Sequence, residues 1–213
     1  MESLETVPTL PTVAIFDFDG TLTKRDSLLP FLKSWVGRWG LYYGLLHMSP
    51  TLIAYGLKLI PNWVAKQRLL IYFLSQKKVQ ELEQTAQTYA RENLSDLLRP
   101  DALVRLRWHQ AQGHQTLLVS ASLEAYLRPW AKQVGIDQVI GTQLEFHQGC
   151  LTGRFLGKNC YGPEKVRRLE KILGNLKHYS IYAYGDSKGD RELLSVASFP
   201  YYRTFKRCRA YPR

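Results

Sequence analysis

The sequence Val13-Ala14-Ile15-Phe16-Asp17-Phe18-Asp19-Gly20-Thr21, near the amino-terminal end of a 213-residue chain, decides the fold. Its first four residues are apolar, and with Thr12 they form a short run rich in β-branched residues that predicts a buried strand. Two carboxylates follow this run directly, two residues apart. Ligands of an open α/β sheet bind at the carboxyl ends of its strands. The stretch therefore predicts a strand and a polar site at its end.

Further apolar runs predict more strands, at residues 116–119 and 179–184 and, more briefly, at 139–140 and 199–202. Helical patterns lie between them, at residues 102–112, 123–134 and 163–173. The last of these opens with Pro163 and stops at Gly174, which is the usual start and stop chemistry of a helix. Strands that alternate with helices predict a parallel, doubly wound α/β sheet. Residues 144–155 alternate around Gly149 and predict a small hairpin beside it.

Residues 27–98 contain no convincing strand and are far too long for a connecting loop. They predict an inserted all-helical cap subdomain, which divides the catalytic core into residues 12–26 and 99–213.

The chain carries 29 Lys and Arg against 18 Asp and Glu, and the excess lies in residues 27–80 and 203–213, which contain no acid. Such a localised positive charge predicts an anionic partner, either nucleic acid, an anionic membrane or a phosphorylated substrate, or else a solvated basic face.

The segment from Trp39 to Leu57 has no formal charge and approaches the length of a membrane-spanning helix. A single pass is excluded, because strands on both sides of the segment must share one sheet. A re-entrant hairpin turning near Ser49-Pro50, or a helix lying in the membrane interface, is compatible with its Trp, Tyr, Lys and Arg content. The alternative is that the aromatic residues form the core of the cap.

Additional polar residues follow the later strands. Asp186 and Asp190 come after the strand at 179–184, and Ser120 directly follows the strand at 116–119. We expect Ala121 and Ser122 to start a helix there, whose N–H groups and dipole suit a phosphate. Carboxylates gathered at one sheet edge repel each other unless a hard cation lies among them, and oxygen ligands favour Mg²⁺. An ammonium group comes from Lys165, at the head of the helix at 163–173, or alternatively from Lys158.

With these motifs the chain resembles the haloacid dehalogenase superfamily of phosphohydrolases, in its phosphoserine-phosphatase-like branch with a helical cap. The resemblance extends from about Val13 to Tyr202. It implies an Mg²⁺-dependent phosphatase that forms an aspartyl-phosphate, with Asp17 as nucleophile and Asp19 as general acid and base. The other residues it implies are Lys165 as the catalytic lysine, Ser120, Ala121 and Gly20 at the phosphate, and Asp17, Asp19, Asp186 and Asp190 at the metal.

The resemblance also indicates which residues recognise the substrate. Asp26 stands where phosphoserine phosphatases are expected to carry a glutamate, and Lys66 or Arg68 takes the place of a cap arginine, with Lys158 as a further phosphate contact. These differences predict a small phosphorylated metabolite or a lipid head group, such as phosphatidylglycerophosphate, rather than phosphoserine. A non-catalytic nucleic-acid or polyanion binder is the rival hypothesis. The sequence contains no recognised nucleic-acid module, so no nucleic-acid partner is expected.

Location and the remaining reactive side chains follow from simpler signals. Three cysteines without ligand spacing and an N-terminus without a secretory pattern predict a reducing, cytoplasmic compartment, with a peripheral position on the cytoplasmic face of a membrane as the variant. Cys160 is expected to be inert, because nothing nearby would activate it. Trp108 and Trp130 are expected to serve packing. The four histidines expected at the surface or at an edge are His109, His114, His147 and His178.

Overall fold

The computed structural model describes residues 10–206 and has a parallel five-stranded sheet of order β3-β2-β1-β6-β7. The strands, numbered along the chain, are β1 (Thr12–Phe16), β2 (Gln115–Leu123), β3 (Gln138–Thr142), β4 (Leu144–His147), β5 (Cys150–Phe155), β6 (Ser180–Gly185) and β7 (Phe199–Tyr202). The helices are α1 (Leu28–His47), α2 (Ser49–Gly56), α3 (Asn62–Leu74), α4 (Val79–Glu92), α5 (Pro100–Ala111), α6 (Glu124–Val134), α7 (Pro163–Leu173) and α8 (Arg191–Ser195). The predicted doubly wound α/β sheet is confirmed.

Strand β1 occupies the centre of the sheet, between β2 and β6. Its residues from Val13 to Phe16 are fully buried, as expected for a parallel strand covered on both faces. Alternate side chains enter two different cores. Val13 and Ile15 pack with residues of α7 and α8, whereas Ala14 and Phe16 pack in the cluster that contains α5 and α6. The end of β1 is thereby fixed in the middle of the molecule.

Residues 28–92 form four helices and no named strand, as the sequence predicts. Helix α1 is broken at Gly37, whose φ of 73° lies in the left-handed region, and it ends just before Ser49-Pro50, where a turn was expected. Helix α4 ends at Glu92, and a 3₁₀ turn follows at Leu94–Leu97. Helix α4 packs on α6 within one continuous core, so the boundaries drawn between cap and core stay a prediction.

Most aromatic residues of the cap are not in its core. Trp35 packs against the buried cluster, but the side chains of Trp39, Tyr42, Tyr43, Tyr55, Trp63 and Tyr72 are exposed. The hypothesis that these aromatics form the cap core is therefore wrong for most of them. Within residues 10–206, no helix combines the length and the apolar character needed to cross a bilayer.

Several local expectations are met and others are not. The hairpin is present as β4 and β5, and Trp130 is buried, whereas Trp108 is 41% exposed. His109 is fully buried instead of lying at the surface, because its ring nitrogens bond to His114 and to the hydroxyl of Tyr184. The N-terminal residues, Cys208 and the basic tail beyond Lys206 lie outside the described part of the chain.

Candidate active site

Asp17 is the first residue after β1, and the strand directs its side chain into the protein. Its backbone N–H donates to the carbonyl oxygen of Tyr184, which continues the pairing with β6 for one more residue. Asp17 is 5% exposed, and its Oδ1 lies 2.7 Å from the Nζ atom of Lys165. Burial raises the pKa of Asp17 to about 6, although the Lys165 ammonium opposes the shift. A buried carboxylate at this position is held in one orientation.

Lys165 lies on the first turn of α7 and reaches across the sheet edge to three acceptors. Its Nζ donates to Asp17 at 2.7 Å, to Asp190 at 2.6 Å and to the carbonyl oxygen of Val119 at 2.9 Å. These bonds use all three ammonium donors of a side chain that is 2% exposed. Burial opposes its charge, but the two carboxylates raise the pKa of Lys165 above its ordinary value. Lys158, the alternative, is exposed and contributes only its carbonyl oxygen, to Arg168.

Asp186 and Asp190 come from the loop after β6 and complete an acidic cluster with Asp17. One carboxylate oxygen from each of these three buried residues lies within 4.8 Å of the others. Asp190 accepts from the N–H and hydroxyl of Ser187 and from the N–H of Asp186. Burial raises the pKa of Asp190, but the charge of Lys165 and these hydrogen bonds outweigh it and hold that pKa below its usual value. Asp190 is thus an ionised anchor for the loop.

The cluster has the donor chemistry that a hard divalent cation needs. Three carboxylate oxygens face one another in a buried place, which suits Mg²⁺ better than a thiophilic metal. The turn that follows Asp17 lies very close to the loop that carries Asp186, because a Cβ on Gly20 would lie 2.5 Å from Oδ2 of Asp186. Gly20 also has a φ of 81°, so a side chain is disfavoured there twice over. The residues present fit a magnesium ion.

The phosphate-binding role expected of Gly20 stays a prediction, and the structure shows which contacts this residue makes. Its N–H donates to the hydroxyl of Thr23, and its Cα faces Asp186. The structure gives a different reason for a glycine at this position, which is the close approach of two acidic loops.

Asp19 lies on the cavity side of the same turn. It accepts hydrogen bonds from the N–H of Ser27, at 2.9 Å, and from the hydroxyl of Ser122. Burial, followed by the negative charge of Asp26, raises the pKa of Asp19 to about 7. A carboxyl group with that pKa can carry a proton near neutral pH and release it again.

Ser120 and Ala121 border the same cavity, but they do not begin a helix. Strand β2 continues to Leu123, and α6 starts only at Glu124, so the expected helix N-terminus at Ala121-Ser122 is wrong. The extension has a cause in side-chain bonding. The Ser122 hydroxyl bonds to Asp19, and the carbonyl oxygen of Ala121 accepts from Thr142 at 2.6 Å.

The cavity above these residues has a volume of about 440 Å³. Core residues form its floor, namely Asp17, Asp19, Ser120, Ala121, Ser122, Asn159, Tyr161, Lys165, Ser187 and Gly189. Cap residues form the rest, namely Leu28, Leu29, Leu52, Tyr55, Asn62, Ala65, Lys66 and Leu69, together with Asp26 at the border between core and cap. The cavity is therefore acidic and polar at the base and mostly apolar on the cap side.

Lys66 of α3 is the cap lysine that enters this cavity. Its Nζ donates to the carbonyl oxygen of Ala121 at 2.6 Å and to Oδ1 of Asn159 at 3.2 Å. Burial lowers the pKa of Lys66 to about 8, against the effect of Asp19 and Asp26. Arg68, the other cap residue expected at the substrate, is exposed and outside the cavity lining. Two residues along a helix amount to about 200° of rotation, so only one of the pair can face the core.

Asp26 lies at the cavity rim, where its Oδ1 accepts from the N–H of Leu28 at 2.8 Å. Asn159 and Thr142 were not singled out from the sequence. They bond to each other at 2.9 Å and support the contact of Lys66 with Ala121. No local pattern marks either of them, since each acts through residues that are distant in the chain.

The comparison with known families is decisive. A family model described as haloacid dehalogenase-like hydrolase matches residues 14–195. The chain belongs to this family. The predicted assignment as a haloacid dehalogenase-type phosphatase of the phosphoserine-phosphatase-like branch is confirmed. The catalytic, phosphate-binding and metal-binding roles of the individual residues stay predictions.

Individual relatives match most of the length of this haloacid dehalogenase-like chain. Protein CicA of Caulobacter vibrioides is 37% identical over 198 residues, which are 92% of this chain and 87% of CicA. Phosphoserine phosphatase SerB1 of Mycobacterium tuberculosis is 27% identical over 88% of this chain and 63% of SerB1. A Bordetella pertussis Tohama I protein of unknown function has a similar structure, with a TM-score of 0.77 and 26% identity over 88% of this chain and 87% of that one.

Proposed function

We propose that this protein is an Mg²⁺-dependent phosphomonoester hydrolase that works through an aspartyl-phosphate at Asp17. The observation that carries the proposal is the position of Asp17 at the cavity base, ion-paired with Lys165 and two residues before Asp19. A nucleophilic carboxylate and a carboxyl group able to hold a proton are thereby presented to one bound group.

In the first half of the reaction a carboxylate oxygen of Asp17 attacks phosphorus, and the bond from phosphorus to the ester oxygen breaks. Asp19, whose pKa is raised to about 7, donates its proton to the departing alkoxide. In the second half the Asp19 carboxylate takes a proton from water, and the resulting hydroxide attacks phosphorus. Phosphate leaves, and the Asp17 carboxylate is restored.

A bound Mg²⁺ would offset the negative charge that gathers on the phosphoryl oxygens. Asp17, Asp186 and the backbone carbonyl of Asp19 would hold it, and Asp190 would fix the loop that carries Asp186. Lys165 keeps Asp17 ionised and oriented for attack. Ser120 and the N–H of Ala121 would hydrogen-bond the phosphoryl group from the opposite side of the cavity base.

The substrate is a phosphorylated small metabolite or a lipid head group. The second of these is favoured by the cap side of the cavity, where Leu28, Leu29, Leu52 and Leu69 provide apolar contact beside Lys66. Such a lipid phosphatase, of the phosphatidylglycerophosphatase kind, would act in the cytoplasm and bind peripherally to an anionic membrane through its basic aromatic cap.

The test is hydrolysis of p-nitrophenyl phosphate, followed by a panel of sugar, amino-acid and lipid phosphomonoesters. We expect Asp17→Asn to abolish phosphate release, and EDTA to abolish it in a manner that added Mg²⁺ reverses. Asp101→Asn serves as the control, because Asp101 lies on α5 and outside the cavity lining. Near wild-type turnover by Asp17→Asn would overturn the proposal.

A further inference from the structure

The outer side of the cap carries a cluster of large exposed side chains, which we call the cap apolar face. Its members are Trp39, Tyr42, Tyr43, Leu46, Ile53, Leu57, Leu59 and Trp63. Each of them is 51–72% exposed. Single exposed apolar residues are common on proteins, but these eight lie on helices α1, α2 and α3 and the turn after α2, and α2 packs on both α1 and α3. Exposed large apolar side chains concentrated in this way mark a surface that contacts something else.

The first four members follow the spacing of one helix face. Trp39, Tyr42, Tyr43 and Leu46 stand at positions i, i+3, i+4 and i+7 in the part of α1 after Gly37. This is the pattern of a buried face, yet it points to solvent. The opposite side of the same helix is packed already, since a Cβ on Gly44 would overlap the Phe73 ring. The part of α1 after Gly37 is therefore apolar on both sides, and nothing in the described part of the chain packs on its outer side.

Basic residues lie next to members of this face in the sequence, and the local sequence contains no negative charge. Arg38 and Lys58 are exposed; Arg38 precedes Trp39 in the sequence, and Lys58 lies between Leu57 and Leu59. The Arg38 guanidinium lies over the Trp39 ring, 5.6 Å from its centre. No Asp or Glu occurs in residues 27–80. Exposed Trp and Tyr rings bordered by Arg and Lys match the interface of an anionic bilayer, where rings sit at the headgroup level and cations meet lipid phosphates.

The elements that carry the face fit a position on a membrane and not across it. Helix α2 has only eight residues, and α1 is interrupted at Gly37. Helix α2 also joins the face to the active-site cavity, because Ile53 is exposed on its outer side while Leu52 and Tyr55 line the cavity. A bilayer in contact with α2 would therefore lie beside the wall of the cavity.

We propose that the cap apolar face is the docking site of this protein for the surface of an anionic lipid bilayer. The inference rests on the proposed function only in the role it gives to docking, which is to bring the active site to phosphomonoesters at a membrane. Docking itself needs no hydrolysis, and it is therefore tested by binding alone.

The experiment is flotation of the full-length protein with vesicles of phosphatidylcholine, and with vesicles in which about one third of the lipid is phosphatidylserine. We expect flotation with the anionic vesicles that weakens as salt is raised. The combined substitutions Trp39→Ser, Tyr43→Ser and Leu46→Ser should lower the affinity about tenfold or more. Val104→Ser with Ile172→Ser and Val196→Ser is the matched control, because these exposed apolar residues lie outside the cap, and it should bind like the wild type.

The charge requirement is tested separately. Arg38→Gln with Lys58→Gln should weaken binding to anionic vesicles, while Lys171→Gln with Lys177→Gln, two exposed lysines of the core, should not. Circular dichroism melts and p-nitrophenyl phosphate hydrolysis verify that each variant is folded.

Three results would overturn the inference. The wild type could fail to float with anionic vesicles, or the triple cap variant could float as well as the wild type. Alternatively, sedimentation could show a dimer that the triple variant loses, which would identify a second copy of the chain as the cover. A protein that floats but hydrolyses no phosphomonoester would contradict the proposed function and leave the docking inference intact.

Discussion

Lys66 of the cap donates a hydrogen bond of 2.6 Å to the carbonyl oxygen of Ala121 in the core. The contact joins α3 to the end of β2 directly beside the cavity base. It fixes how closely the cap approaches the core, and it places an ammonium group at the side of the cavity where a phosphate would lie.

Replacement of this ammonium should weaken substrate binding more than catalysis. A hydrogen bond from a charged group contributes about 1.5–3 kcal/mol, so we expect Lys66→Met to raise KM by roughly one to two orders of magnitude. Because Lys66 hydrogen-bonds to neither Asp17 nor Asp19, the two carboxylates proposed to carry out the reaction, kcat should change much less. Steady-state kinetics with p-nitrophenyl phosphate measures both constants. Arg68→Met, two residues along the same helix but exposed, should leave KM unchanged.

The same residue predicts a pH dependence. Burial lowers the pKa of Lys66 to about 8, so its charge is present below that pH and is lost as pH rises through it. KM of the wild type should therefore increase above pH 8. In Lys66→Met this part of the pH profile should be absent. An identical rise in both proteins would show that the lysine does not contact the substrate.

Asp19 predicts a dependence on the leaving group. A general acid matters most when the departing alkoxide is strongly basic, and little when it is stable without a proton. Asp19→Asn should consequently reduce kcat for an alkyl phosphate by about 10²-fold to 10⁴-fold. The first step with p-nitrophenyl phosphate should be much less affected, which a burst of p-nitrophenol in rapid-quench kinetics would reveal. Equal losses of the first step for both substrates would contradict the role of Asp19.

The parts of this site that the sequence predicts are those encoded by adjacent residues. Asp17 and Asp19 follow a strand whose apolar character is evident, and Asp186 follows another, so their meeting at one sheet edge is a consequence of parallel topology. The helix that carries Lys165 has clear start and stop residues, and its bounds match the prediction. Such features need no knowledge of how distant elements pack.

The parts that could not be predicted depend on tertiary packing. The choice of Lys66 over Arg68 is set by the rotation of α3, which follows from the apolar residues that α3 buries against the rest of the cap. The continuation of β2 past Ser120 depends on bonds to Asp19 and Thr142, both distant in the chain. His109 is buried because a tyrosine of β6 happens to lie opposite, which no helical periodicity reveals.

Lys165 predicts a linkage between stability and metal. Its removal leaves Asp17 and Asp190 buried without the ammonium that both of them bond, and breaking a buried ion pair in this way costs about 3–5 kcal/mol. Lys165→Met should therefore lower the Tm markedly in EDTA, and Mg²⁺ should restore part of the loss. Differential scanning calorimetry measures both effects. Lys171→Met on the same helix, where the lysine is exposed, should change Tm little in either condition.

His109 predicts loss of stability in mild acid. Burial, together with the neighbouring His114 and Arg105, lowers the pKa of His109 to about 4, while an unfolded histidine titrates near 6.5. The folded protein therefore binds the proton less readily than the unfolded chain does. The contribution of the neutral ring is fully present above pH 6.5 and is lost as pH falls through 6.5 towards 4.

Urea unfolding at a series of pH values should show this decline in the wild type. His109→Gln should be less stable at neutral pH and should lack that part of the decline, whereas His178→Gln, at an exposed position, should behave like the wild type. A pH profile that His109→Gln shares with the wild type would show that this buried histidine is not the group responsible.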